Sequence, residues 1–200
     1  MNVKLNSTEN RCISTSTVGY MCLALTIWMV SMTNAGWYAS VYPHFAAMIM
    51  PMAVVLAVMG ILSHLRARSL DAVVFFGCGI LFWSAHAAAV AAASPPMTEP
   101  ASYAGWFFAI WAAFFGYVWL GSFHTTLPRQ LFVIGLALSL LAVALTDWTG
   151  LRFFRYIGGY IGLISALLAG FVSASGFITF GGEAHSPNDE HEHVGHAHPA

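Results

Sequence analysis

The chain divides into six long apolar stretches separated by short polar or turn-forming breaks. They run from about Val18 to Asn34, Phe45 to Ser63, Ala72 to Ala93, Tyr103 to Phe123, Leu131 to Trp148 and Tyr156 to Phe180. A helix needs about 17–25 residues to cross the hydrocarbon core of a bilayer, and each stretch is of that order. Lipid offers backbone N–H and C=O groups no water, so only helices and closed barrels can span it. None of the six stretches shows the period-2 alternation of a barrel strand. The pattern predicts an all-α membrane protein of six transmembrane helices.

The breaks carry turn chemistry. Pro43 precedes the second span, Ser94-Pro95-Pro96 closes the third, Thr125 to Pro128 separates the fourth from the fifth, and Gly181-Gly182 ends the sixth. Pro51 falls inside the second span, where the missing N–H favours a kink. Three regions follow: a polar segment over 1–17, the six-helix domain over 18–180, and a histidine-rich tail over 181–200 that is too polar to bury a core and is expected to be disordered.

Composition supports this reading. Hydrophobic residues make up 58% of the 200 positions and charged residues 8%, against about 25% charged in a soluble domain. The mean hydropathy is +0.72. Seven Lys and Arg cannot build a phosphate-tracking face, so nucleic acid is excluded as a partner and the lipid bilayer takes its place. The sequence contains no G-x-S-x-G, no H-E-x-x-H and no glycine-rich phosphate loop, so neither an enzyme activity nor a cofactor is expected. Cys12, Cys22 and Cys78 have no metal or redox spacing. With the N-terminus inside, the inner segments hold Lys4, Arg11, Arg66, Arg68 and Arg129, and the outer loops only Arg152 and Arg155. That asymmetry places both termini in the cytoplasm of a plasma-membrane protein.

Small residues recur at four-residue spacing at Gly158, Gly162, Ala166, Gly170 and Ala174, and more briefly at Gly105, Ala109 and Ala113. Such stripes let helix backbones approach closely, within a subunit or between subunits. The spans are almost free of charge: Asp71 and Asp147 stand at predicted ends, and His86 lies well inside the third helix. His86 is a candidate proton site, or a neutral histidine bonded to a neighbouring helix. In the tail, His191, His193, His196 and His198 with interleaved acids are candidate metal ligands; a solvated tail with adventitious metal affinity is the plainer account.

From Tyr103 to about Phe180 the sequence resembles the acetate uptake transporter family of the succinate–acetate permease type. The likeness runs without a gap through Gly105, Trp111, Phe114, Gly121, Gln130-Leu131 and Gly150 to Gly159-Tyr160-Ile161-Gly162-Leu163-Ile164, which is similar to the family's G-W-I-G-L-I run. Cys78-Gly79 with Phe82-Trp83 resembles the Y-G-x-F-W stretch, and Asn34-Ala35-Gly36-Trp37-Tyr38 the N-x-G-Y-F ending of the first helix. The resemblance implies six helices around a narrow apolar pore, a homo-hexamer, and passage of acetate or related short carboxylates with a proton. By position it implies a constriction at Leu23, Cys78 and Leu136, an entry segment containing Ser14, Thr15 and Thr17, and a polar contact at Ser31. The family's signatures are altered here: N-P-A-P-L-G-L reads Ser14-Thr15-Ser16-Thr17-Val18-Gly19-Tyr20, and Y-G-G-x-x-Q reads Pro51-Met52-Ala53-Val54-Val55-Leu56. Three functions remain in contention: a proton-linked monocarboxylate transporter or channel, a channel for a small neutral solute such as urea, ammonia or water, and a non-transporting membrane protein with a metal-binding tail.

Overall fold

The structure, a computed structural model, describes residues 15–38, 43–92 and 101–183. Every regular element among them is a helix: α1 (Thr15–Asn34), α2 (Pro43–Leu65), α3 (Ser69–Ala92), α4 (Ala101–Gly121), α5 (Leu127–Thr149) and α6 (Arg152–Glu183). All six are long and apolar enough to cross a membrane. The expected architecture is present, with helices that extend past the purely apolar runs. α1 begins at Thr15, because the hydroxyls of its first turn are buried against Arg66 in the α2–α3 turn and Asp71 on α3. α6 begins at Arg152, directly after α5 ends on Gly150 in the left-handed conformation (φ 71°), whose N–H bonds Thr146 O at 2.8 Å. A residue with a Cβ is strained at that φ, so glycine ends the helix there.

Short links make successive helices antiparallel, and α1 in turn lies against α6, so the chain returns on itself as a ring. The seam between α3 and α4 is the loosest contact between neighbours in that ring. One end of the bundle, the Asp71 end, gathers the start of α1, the α2–α3 turn and the start of α5. The other, the Asp147 end, gathers the end of α1, the end of α5 and the start of α6.

Large apolar side chains on the outside, such as Ile110, Tyr117, Leu167 and Phe171, are exposed, as a lipid-facing surface requires. Tyr20, Leu23, Leu56, Phe75, Phe115 and Phe132 fill the interior. Trp106 and Trp148 pair edge-on at the Asp147 end, centroids 5.1 Å apart, where interfacial aromatics collect.

The glycine stripe of α6 works inside the protomer. A Cβ on Gly158 would stand 3.0 Å from Ser139 O of α5, and one on Gly162 would meet the hydroxyls of Ser31 and Ser139. At Gly159 a Cβ would lie 2.6 Å from Ala35 Cα in the α1 backbone chain. Backbone cannot move aside as a side chain can. Gly159→Ala is therefore expected to separate α1 from α6 and cost about 2–3 kcal/mol of stability. Gly170→Ala, where the nearest atom is Ala24 Cβ at 3.9 Å, should leave the melting temperature within about 2 °C. Thermal unfolding of both variants in the same detergent checks the pair.

Candidate functional site

All six helices contribute to one cavity of about 450 Å³ on the Asp147 side of the bundle. Its shallow part is polar, with Asn34 at the end of α1, Thr146 and Asp147 at the end of α5, and Arg155 at the start of α6. Arg155 Nε donates to Asn34 Oδ1 at 3.3 Å across α1 and α6. Deeper in, Ser31 and Ser139 offer hydroxyls, and the Ser139 hydroxyl donates to Gly158 O at 2.7 Å. The cavity ends among Ile27, Leu81, Phe82 and Leu136.

Beyond that floor the interior is solid. Leu23 and Cys78 are fully buried, and Tyr20 packs edge-on against Phe75 and Phe132 with centroids 5.0 and 6.0 Å away. This layer contains no charged group among the described residues, so an ion entering it would lose its hydration without compensation.

At the Asp71 end the layer is capped by a polar cluster. Asp71, 4% exposed in the first turn of α3, accepts hydrogen bonds from the Ser16 hydroxyl on one carboxylate oxygen and from the Tyr20 hydroxyl on the other, the latter at 3.0 Å. Arg129 of α5 approaches the same oxygen as Tyr20 at 3.8 Å and lies over the Tyr20 ring, 5.3 Å from its centroid. Arg68 donates to Ser16 Oγ at 2.8 Å, and Arg66 to Thr15 Oγ1. The α2–α3 turn brings both arginines back onto α1 by placing Ala67 in the left-handed region (φ 58°), a strained conformation for alanine.

The residues singled out in the sequence thus occupy different parts of the molecule. Leu136 and Ser31 line the cavity, Leu136 at its floor, while Leu23 and Cys78 lie in the solid layer beyond. Half-buried His86 shares the cavity with Asp147. Thr15 belongs to the Asp71-end cluster, whereas Thr17 faces α6, where its carbonyl accepts from Ser173 Oγ at 2.8 Å. Ser14 and the tail histidines His191, His193, His196 and His198 lie outside the described residues. Sequence reasoning missed Ser16, Tyr20 and Arg129 as partners of Asp71. The four-residue step from Ser16 to Tyr20, which puts both hydroxyls on one helix face, was the signal available.

These features define a class of protein: a polytopic membrane protein that closes six helices around a central cavity. Among solved structures the chain is similar to the bacterial acetate channel SatP, with a TM-score of 0.77 over 82% of this chain and 92% of that one, at 16% sequence identity. The two proteins share a fold. No protein-family profile and no curated protein matches the sequence.

The Asp71 cluster makes a stability prediction. Breaking a buried ion pair leaves its partner uncompensated, so Asp71→Asn should cost about 3 kcal/mol, and Tyr20→Phe about 1.5 kcal/mol for a bond to a charged acceptor. Because both changes remove the same contact, the double variant should lose less than the sum. Melting curves of the four proteins in detergent test this.

Proposed function

We propose that the protein passes a small monocarboxylate such as acetate across the plasma membrane, together with a proton and through a path inside each protomer. The observation that carries this reading is the cavity enclosed by all six helices, polar at its mouth and ending on Leu136 above an uncharged layer. An acetate ion can exchange water for Asn34, Arg155, Ser31 and Ser139 in the cavity. It meets no such groups beyond Leu136, so the cheaper crossing species there is the neutral acid. His86 and Asp147, on the cavity wall, are the groups placed to hand over or receive that proton. Leu23, Cys78 and Leu136 form the narrow point, as the resemblance implies, and both termini face the cytoplasm. The likeness to SatP supports the same reading, and a homo-hexamer is the assembly proposed with it.

The altered signatures keep a neutral cargo in contention, because an uncharged constriction also admits urea, ammonia or water. Uptake of labelled acetate into proteoliposomes separates the two, with empty liposomes subtracting passive acid diffusion. The expected result is saturable uptake, stimulated by an inward proton gradient and suppressed by excess propionate. Flux equal to empty liposomes from folded protein would remove the carboxylate reading, and swelling in urea would replace it. If Cys78 lies on the path, Cys78→Trp should cut flux at least about tenfold, since the layer around it has no room for an indole without displacing the path. Unchanged flux would take Cys78 out of the constriction.

A further inference from the structure

The ligand of the polar cluster at the Asp71 end is itself a carboxylate. One Asp71 oxygen is held by Ser16 and the other by Tyr20 and Arg129, with Arg68 reinforcing Ser16 from behind. Three donors from two other helices converge on a group whose chemical identity, CH2–COO⁻, is that of acetate tethered to the backbone. The site is buried: Asp71 is 4% exposed, Ser16 4% and Tyr20 1%. It also adjoins the uncharged layer, because the Tyr20 ring is part of that layer while its hydroxyl is part of the cluster.

We propose that Ser16, Tyr20 and Arg129 form a binding site for short monocarboxylates, which the Asp71 side chain fills in this closed state and a free carboxylate fills in its place. The inference rests on the proposed function for its cargo, and it names the recognition site of that cargo at the far end of the path. Nothing in the donor set distinguishes a tethered carboxylate from a free one. Both oxygens need the same hydroxyls and the same guanidinium, so a free carboxylate in place of Asp71 keeps these donors satisfied, while the displaced Asp71 carboxylate takes up water or a proton at that end of the bundle.

Removing the tether tests the site directly. Asp71→Ala deletes a formate-sized group and Asp71→Gly an acetate-sized one. Each variant should melt below the parent, and each should be rescued by the anion that fits: formate for Asp71→Ala, acetate for Asp71→Gly. At a carboxylate concentration ten times its dissociation constant, the gain over the same addition to the parent should be about 3–6 °C. Chloride at matched ionic strength should give none, and adding Arg129→Gln should abolish the rescue. Carboxylates that stabilise the variants no more than chloride would overturn the proposal.

Should neither variant fold, the isosteric Asp71→Asn asks the same question. With the competitor's charge gone, equilibrium binding of labelled acetate to the detergent-solubilised protein should tighten about fivefold over the parent, and Arg129→Gln should reverse it. Unchanged binding would overturn the site. The two readings fail separately. Acetate flux in the parent without rescue or tighter binding in the variants leaves the transport reading and removes this site. Rescue without flux keeps the site and removes transport.

Discussion

In a bilayer nothing drives apolar helices together as water does in a soluble core, so the distance at which backbones can meet decides the architecture. Here that distance is set along α6. Gly158 and Gly162 admit α5 and α1, and Gly159 brings α6 against the α1 backbone itself at Asn34 and Ala35. The hydroxyls of Ser31 and Ser139 occupy the space that Gly162 leaves, and Ser139 bonds back to Gly158 O. With α1 and α5 both held on α6, their inward residues share fixed heights. Leu23 and Leu136 are buried in the interior, Asn34 and Asp147 flank the cavity mouth, and Tyr20 and Arg129 meet at the opposite end.

Charge follows the same logic. A charged side chain at mid-bilayer costs at least about 2.5–3.5 kcal/mol, and the described spans place theirs near the helix ends. Asp71 is buried, yet it stands in the first turn of α3, where the starts of α1 and α5 can supply hydroxyls and a guanidinium. Asp147 and Arg155 occupy the other end, separated by a short turn. The space between holds apolar side chains and a few hydroxyls, which is a barrier to an anion and a much smaller one to the neutral acid.

Much of this was legible in the sequence because it is local. Span length, the proline and glycine breaks, and the small-residue stripe of α6 each follow from neighbours a few positions apart. The helix ends were underestimated because polar residues such as Ser16 and Arg152 do not look like membrane helix until their partners are known. The Asp71 cluster was out of reach for the same reason. Its bonds link residues 51 and 55 positions apart on α1 and α3, two helices brought together where Gly19 of α1 admits the Phe75 ring of α3. The resemblance pointed to Ser14, Thr15 and Thr17 at the start of α1, and helical periodicity turns Thr17 towards α6 and Ser16 towards α3.

The two ends of the interior are not equivalent, and the difference suggests how cargo and opening are linked. The Asp147 end holds open space, whereas the Asp71 end is shut by a residue with two attachments. Tyr20 is fixed through its hydroxyl to Asp71 and through its ring to Phe75, Phe132 and the Arg129 cation. An aromatic ring packed this tightly does not swing while its hydroxyl is anchored. On the proposal that a free carboxylate replaces Asp71, the arriving ion takes over the hydroxyl and guanidinium and frees the Asp71 side chain of α3 from its bonds to α1. The contact that recognises the cargo is then also the one that holds the layer closed, so loosening of the plug depends on a carboxylate being present rather than on chance fluctuation.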